Sequence, residues 1–221
     1  MPIGSAKFGL MAAAGGGEES FTAFGGMITQ YLAGSSTYRV HTFRGSGTFE
    51  VVSGESDVMW MIVAGGGASG TGGGGAGGML RNTESGQAVF AASTTSGDSG
   101  TALHTITVGT GGLNGWRDAN TAGATVGGNS SALGQTTVIG GGQGMSGASD
   151  TNITGGSGGG GYFSAAGAGT TGQGNAGSGS GQVGGGGGKG EAGGTDAAGY
   201  GGDGAVGYGI GSYAPYYAGG G

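Results

Sequence analysis

The sequence predicts a mostly β protein, with a small antiparallel β core followed by a glycine-rich region. Short runs rich in Thr, Val, Ile, Phe and Tyr alternate with Gly, Ser, Asn and Asp, which is the pattern of antiparallel hairpins. Gly accounts for 68 of the 221 residues and Pro for 2, and the absence of a regular three-residue Gly period excludes a collagen triple helix. Charged residues make up 8% of the chain and hydrophobic residues 34%, so charge repulsion would not keep it unfolded.

The first zone, residues 1–34, carries two short apolar patches separated by "GGGEES". Neither patch sustains a helical period, and we expect an N-terminal docking segment. The candidate docking residues are Ile3, Lys7, Phe8, Leu10 and Met11.

The second zone, residues 35–142, is the predicted β-rich core. In it "TYRVHTF" and "GTFEVV" are joined across "RGS", and "DVMWMIVA", "QAVFAA", "ALHTITVG" and "QTTVIGG" follow. These runs have the composition of strands, and Gly, Ser, Asn and Asp between them favour turns. Because "VMWMIV" is apolar at every position, we expect it to be buried on both faces, or on one face and against a partner chain.

The third zone, residues 143–221, is the predicted glycine-rich region. Ordering Gly costs more backbone entropy than ordering any other residue, so repeated favourable contacts must offset that cost. Extended chains in the polyproline II conformation have no internal hydrogen bonds, but Gly lets them approach closely enough to bond laterally. Packed, polyglycine-II-like chains are therefore one candidate structure for this region.

Composition argues against several classes of function. The net charge is −6 and the six basic residues are scattered singly, so the chain lacks the basic surface that nucleic acid requires. With no Cys, disulfides, thiolate metal sites and thiol catalysis are excluded. The longest apolar run, residues 58–64, is shorter than a membrane-spanning helix, and the N-terminus does not read as a secretory signal. We expect neither nucleic-acid binding nor membrane insertion.

Motifs for catalysis or cofactors are weak. His41 and His104 lie in strand-like runs, and alternation places His104 on one face with Ile106 and Val108, which favours a structural role. Gly-rich stretches match G-x-G-x-x-G by chance, and "GGGGGKGEAGG" lacks the Ser or Thr that follows the lysine of a P-loop. We therefore predict no enzymatic activity, no cofactor and no metal.

Two aromatic stretches are candidate recognition sites. "LNGWRDAN" places Trp116 and Arg117 in a polar loop between strands, and the chain ends in a Tyr-rich segment that contains Tyr213, Tyr216 and Tyr217. Such side chains either pack over the sheet and between glycine segments or stack on sugars and anchor a protein partner. Both readings stay open for both stretches.

A resemblance to a known family comes from the order of several motifs. "TYRVHTFRGSGTFEVVSGESDVMWMIVAGGG" is followed by "GGGGAGGML", "HTITVGTGG", "GGNSSALG" and "VIGGGQG". This order resembles the glycine-rich domain of tailed-phage structural proteins, especially the tail-fibre and appendage proteins of phages that infect marine cyanobacteria. "MPIGSAKFGLMAAAG" also resembles N-termini of such virion proteins.

The resemblance implies a virion structural protein, assembled in the host cytoplasm, that acts in a tail fibre or tail tip. Its implied partners are other virion proteins, further copies in a homotrimer, and a host surface glycan or outer-membrane protein bound by multivalent weak adhesion. We expect subunits to meet at "VMWMIV". The alternative is a capsid decoration or head-fibre protein that binds no receptor.

One departure from the family pattern concerns the C-terminus. The family closes with a strand similar to "GGSGIVIIRY", whereas this sequence ends with "SYAPYYAGGG". We expect the natural chain to continue beyond Gly221. The alternatives are that "AVGYGIGSY" replaces the closing strand or that a partner chain supplies it.

Overall fold

The computed structural model describes residues 20–113, 124–147, 151–179, 183–194, 200–207 and 216–221. Over these residues the protein is mostly β, built from short antiparallel strands, which confirms the predicted fold class. The strands are β1 Thr22–Phe24, β2 Met27–Ala33, β3 Ser36–Thr42, β4 Gly47–Ser53, β5 Ser56–Val58, β6 Met61–Val63, β7 Met79–Arg81, β8 Phe90–Ala92, β9 Leu103–Ile106, β10 Ala205–Val206 and β11 Tyr216–Tyr217.

The largest sheet has three strands in the order β1-β4-β9. β4 is its central strand, and burial alternates along it so that Phe49 and Val51 face the core while their neighbours are exposed. Alternation of this kind is expected when one face of an antiparallel sheet is covered. The cluster on this face consists of Ala23, Phe49, Val51, Ala92 and Ile106.

A second apolar cluster lies where β6 pairs with β7. Trp60 and Ile62 are buried there with Leu80 and Val138. The indole nitrogen of Trp60 donates a hydrogen bond of 2.8 Å to the carbonyl of Ala88, which satisfies the one polar atom of a ring that is 5% exposed.

The hairpin β2–β3 forms a separate two-stranded sheet. Its register pairs Met27 with Thr42 at one end and Ala33 with Ser36 at the other. Gly34 occupies the first loop position with φ of 63°, as a type II′ turn requires. Most residues of both strands are exposed.

The pairing of strands differs from their order in the sequence. The runs "TYRVHTF" and "GTFEVV" become β3 and β4, but they lie in different sheets, because β3 pairs with β2 and β4 pairs with β1 and β9. "QTTVIGG" forms no strand, and its β pairing is limited to the isolated bridge between Ser130 and Val138. β1 and β2 fall within residues 1–34, where we expected a docking segment.

The run "VMWMIV" is not one strand buried on both faces. It is divided between β5 and β6, with Met59 and Trp60 between them. Met59 is 49% exposed, while Trp60 and Ile62 are 5% and 7% exposed. The segment is therefore buried on one face, because its alternate side chains Trp60 and Ile62 enter the second cluster. The expected subunit contact at this segment remains a prediction.

Outside the strands, backbone hydrogen bonds join glycine-rich segments that are distant in sequence. We call the following set the glycine body: residues 64–78, 109–112, 124–128, 138–145, 155–161, 173–178, 184–190, 200–204 and 218–221. In its segment 138–145, Gly141 bonds to Gly65 and Gly127, and Gly142 bonds to Gly75 and Ser157, at 2.8 to 2.9 Å. Those partners lie in three different segments, whereas a strand has neighbours at only two edges. Polyproline II conformation of these segments remains a prediction.

Side chains are excluded from many positions of the glycine body by neighbouring backbone. A Cβ atom on Gly140 would approach the Gly127 carbonyl, and one on Gly65 the Thr110 carbonyl, closer than the 3.0 Å that real Cβ atoms keep. Gly is therefore required at such positions because neighbouring backbone atoms approach its Cα closely. This steric requirement is distinct from the wider range of φ and ψ angles that Gly can adopt.

Candidate recognition surface

Tyr216 and Tyr217, two of the predicted recognition residues, form β11. They pair with β10, so that Ala205 lies opposite Tyr217 and Val206 opposite Tyr216. Tyr216 is 72% exposed and Tyr217 36%. The two residues alternate across the short ribbon, and the exposed Tyr216 ring is free to stack on a ligand.

The ring of Tyr217 packs against the backbone of Gly207. A Cβ atom added to Gly207 would meet the Cδ2 and Cε2 atoms of Tyr217 and would lie 3.2 Å from Met61 Sδ. The ring thus covers Gly207 next to the end of β6. This arrangement combines the two readings of the Tyr-rich segment, since Tyr217 packs on a glycine while Tyr216 faces outward.

Ionic contacts fix the region behind this ribbon. The guanidinium of Arg81, at the end of β7, donates a hydrogen bond to the carbonyl of Val206 in β10. Arg81 Nε lies 3.4 Å from Glu84 Oε1, and Lys189 Nζ lies 2.8 Å from Glu84 Oε2. Lys189 also donates to the carbonyl of Gly172. The β7 turn, β10 and the glycine body are therefore tied together.

The structure fixes the base of the loop that holds Trp116 and Arg117. The Leu113 amide donates to Thr125 Oγ1 at 2.7 Å, and the Thr125 amide donates to the Leu113 carbonyl at 3.2 Å. Trp116 and Arg117 themselves lie outside the described residues, as does Tyr213. The predicted docking residues also lie outside them: Ile3, Lys7, Phe8, Leu10 and Met11.

Other aromatic side chains are exposed that the sequence did not single out. Tyr200 is 62% exposed and Phe163 64%. Phe163 has φ of 50°, and its ring packs edge to face against Tyr162 at 4.6 Å. Such a left-handed conformation is unusual for a bulky residue. The exposure of Tyr200 and Phe163 could not be predicted from the sequence, because side-chain exposure in a glycine-rich tract follows no regular period.

A surface depression of about 460 Å³ lies beside the turn between β3 and β4. Phe43 packs beneath it against Gly25 and Gly26, whose Cβ positions would be 3.0 and 3.2 Å from the ring. Arg44 supplies the one charge among the lining residues. Its lining offers an aromatic ring, the side chain of Met27, backbone groups and small hydroxyls, and it includes no carboxylate or histidine.

His104 is a buried strand histidine, as the alternation of β9 predicted. The ring is 1% exposed and packs against Phe49 and Phe90. Its Nε2 lies 3.3 Å from Ser96 Oγ, which also bonds to Ser93. Burial lowers the pKa of His104 below its usual value, opposed by the negative charge of Asp98. The ring is therefore held neutral.

Ser96, His104 and Asp98 do not form a catalytic triad. The carboxylate of Asp98 accepts a hydrogen bond of 2.7 Å from the Thr105 amide, and this bond lowers the pKa of Asp98. A triad carboxylate would instead orient the imidazole. Because His104 is buried, a substrate could not reach it.

His41 is also engaged structurally, through Nδ1 at 2.8 Å from the Gly25 carbonyl. Within the described ranges, no group of three or more His, Cys, Asp or Glu residues is placed to hold a metal ion. Over the same ranges, no helix has the length and apolar character needed to cross a membrane.

Comparison of the chain with protein-family models, curated protein sequences and solved structures finds no match in any of the three.

Proposed function

We propose that this protein is a structural component of a phage virion, in a tail fibre or tail tip, and that it contributes to host attachment by multivalent weak binding. The proposal combines the family resemblance of the sequence with one structural observation. That observation is the glycine body, in which residues as distant as Gly74 and Gly221 are joined by a backbone hydrogen bond of 3.0 Å.

A body of this kind suits a particle that must survive outside a cell. Its segments are connected through backbone groups, and an added Cβ would overlap neighbouring backbone at many positions. Rearrangement would have to break many of these bonds together, which favours kinetic resistance over conformational change. The chemistry of such a protein lies at its surface.

The surface chemistry supports weak attachment. Tyr216 offers an exposed aromatic face, and Leu113 and Thr125, which flank the sequence that contains Trp116, are hydrogen-bonded to each other. Aromatic faces and neutral hydrogen-bonding groups suit glycans, although each site alone would bind weakly. Several copies on one particle raise the effective concentration and convert weak sites into stable adhesion.

The partners of this proposal are other virion proteins, further copies of the chain and a host glycan or outer-membrane protein. Residues 1–15 dock the chain onto the particle, and the remainder faces the host. The homotrimer implied by the resemblance remains a prediction.

Position and copy number in the intact particle test the proposal. Antibodies against residues 1–34 would be used for immunogold labelling, with quantitative mass spectrometry of purified particles alongside. Label at the tail and a copy number far below that of the major capsid protein support an attachment component.

Label spread over the head at a copy number close to that of the capsid protein would indicate the alternative, a decoration or head-fibre protein. Absence of the protein from purified particles would contradict both virion functions.

A further inference from the structure

The outer edge of β2 is the most unusual exposed feature of the described residues. β2 pairs only with β3, and no strand in the described part of the chain pairs with its other edge. A strand of seven residues with an open edge is a template for pairing with another chain. Soluble proteins normally protect such an edge.

Protection of that kind is missing from β2. Its sequence, "MITQYLA", contains no charged residue and no Pro, although Lys, inward-pointing charges, Pro and bulges are the usual means of blocking an edge. Ile28 is 43% exposed and Leu32 67%. Exposed apolar residues on an unprotected edge point to a partner strand.

Stability also favours a partner. A two-stranded hairpin is marginal in water unless further strands or a packed face support it. Most of β2 and β3 is exposed. The stacked rings of Tyr31 and Tyr38, 5.3 Å apart, join the two strands, and only the base of the hairpin reaches the core, where His41 packs edge to face against Phe49 at 5.1 Å. A third and fourth strand would supply the missing support.

The sequence of β2 is self-complementary in the antiparallel direction. If two copies pair about Gln30, each Ile28 lies opposite Leu32 of the second copy, and Met27 lies opposite Ala33. Apolar side chains thus meet apolar side chains, and the two amides of Gln30 meet at the centre. Each residue of one copy thus meets the residue that its own counterpart meets in the other copy, as a two-fold interface requires, and no charged side chain lies in the two β2 strands.

The backbone has the right alternation for this register. In a two-residue hairpin the pair next to the loop, Ala33 and Ser36, is hydrogen-bonded, and bonded and non-bonded pairs then alternate along the ladder. Counting from that pair, Leu32, Gln30 and Ile28 occupy non-bonded positions, so their N–H and C=O groups point to the open edge. These are the groups that pairing about Gln30 would use.

We infer that β2 is a self-association edge, through which two copies of this chain pair antiparallel about Gln30 into a four-stranded sheet β3-β2-β2-β3. Arg39 is opposite Gln30 in β3, so the two copies of Arg39 lie on the outer strands. The two outer strands are three strand spacings of about 4.8 Å apart, or about 14 Å in total. This distance between the two arginines exceeds the Debye length of about 8 Å at physiological salt. Their repulsion is therefore largely screened.

This inference deepens the homo-oligomer part of the proposed function. Because the pairing is two-fold, it predicts a dimer or another even assembly, in contrast with the trimer that the resemblance implies. Solution mass tests it independently of any particle, so a failed dimer and a failed virion assignment give different results.

The first experiment measures the mass of the full chain by light scattering and sedimentation over a range of concentrations. The unmodified chain should dimerise. A double variant I28K/L32K and a double variant I28E/L32E should each be monomeric, because like charges would lie across the interface. Mixed together, the two variants should form a one-to-one complex.

Matched controls separate pairing from loss of fold. V126K places a single lysine, half the charge of I28K/L32K, at a residue that is 44% exposed and outside the strands, and it should remain dimeric. Because Ile28 and Leu32 are exposed, the charged variants should keep the circular dichroism of a folded chain and should still melt cooperatively.

The second experiment tests the register. The chain has no Cys, so a cysteine introduced by Gln30→Cys can form a disulfide only with the same position in a second copy. Residues facing each other in a bonded antiparallel pair have Cα atoms about 5.5 Å apart, within the 4.4–6.8 Å range of disulfides. Gln30→Cys should cross-link rapidly, and Thr29→Cys should not.

Three results would overturn the inference. The first is a monomer at all concentrations up to millimolar, whatever covers β2, residues 1–19 included. The second is a dimer that persists in both charged variants. The third is equal cross-linking by the two cysteine variants.

Discussion

Gly140 shows what a single side chain would cost in the glycine body. Its amide donates to Asn129 Oδ1 at 2.9 Å and its carbonyl accepts from the Gly156 amide, while a Cβ would overlap the carbonyl of Gly127. Neighbouring backbone cannot rotate away as a side chain can. A methyl group at this position must therefore separate two segments.

Gly140→Ala should lower the free energy of unfolding by about 3 kcal/mol, the upper part of the range for overpacking. Urea unfolding followed by circular dichroism would measure the loss. Gly45→Ala is the matched control, because nothing lies within 4 Å of its Cβ position, and it should change stability by no more than about 0.5 kcal/mol. Equal effects of the two substitutions would contradict the close-approach argument.

His104 gives a prediction on pH. Its pKa is lowered in the folded state by burial, so the unfolded chain takes up a proton at a higher pH than the folded chain does. Stability should therefore fall as pH decreases through the usual histidine value of 6.5 toward the lowered one, and it should level off above that value.

Melting temperatures measured between pH 7 and pH 5 would test this dependence. His104→Gln should remove most of the slope over that range, whatever its effect on stability at pH 7. Asp98 is the charged group near the ring, and its pKa is lowered, so it contributes at more acidic pH. An unchanged slope in His104→Gln would show that other groups control the transition.

Between elements, the Glu84–Lys189 ion pair joins residues that are 105 positions apart. The two side chains are 18% and 13% exposed, so removing one partner leaves a mostly buried charge. Lys189→Met and Glu84→Gln should each reduce stability by about 1–3 kcal/mol, below the cost at a fully buried pair.

A double-mutant cycle measures the coupling. The combined variant should lose less than the sum of the single losses, because neither charge is left without its partner. Glu191→Gln, at an exposed position, is the control and should have little effect. Additive losses would mean that the two side chains act separately.

Strand positions were predictable from sequence in part, whereas strand partners were not. β3, β4, β8 and β9 lie where runs of β-branched and aromatic residues predict them, since these residue types suit a pleated surface. β3 nevertheless pairs with β2, the strand that precedes it in the sequence, where we predicted a docking segment. Partner choice depends on distant contacts that composition does not record.

The candidate site was predictable only in part. The sequence predicts a recognition site at the Tyr-rich end because aromatic residues supply the large apolar area of the third zone. The exposure of Tyr216 and the packing of Tyr217 on Gly207 depend instead on tertiary contacts. The ion pair of Glu84 and Lys189 left no local signal, because the two residues are 105 positions apart in the sequence. The dense glycine composition hides spacing, so periodicity could not reveal these contacts.

For the whole molecule, deletion of residues 1–15 separates docking from folding. β1 begins at Thr22, so the deletion removes none of the described strands. The shortened chain should fold with an unchanged melting temperature but should not be incorporated into particles. Mass spectrometry of particles assembled with the shortened chain would measure this, and normal incorporation would disprove the docking role.

Attachment can be tested at the exposed ribbon. Tyr216→Ala should reduce binding of the multivalent protein to host cells or glycan arrays by about tenfold or more, since small losses per site multiply over several copies. Its high exposure predicts little change in stability. Tyr200→Ala, at another exposed tyrosine, is the control, and equal losses would point to general adhesion of aromatic surface.

Close approach in the glycine body also constrains how the gene can change. Every amino-acid replacement that a single base change can produce in a glycine codon adds at least a Cβ atom, so wherever backbone lies against the Cα there is no mild mutation. Other residues of a protein core usually have a similar neighbour in the genetic code. Diversity should therefore accumulate in the connections between the segments, where a new side chain points into solvent, and the body should remain almost invariant while the loops that it carries diverge.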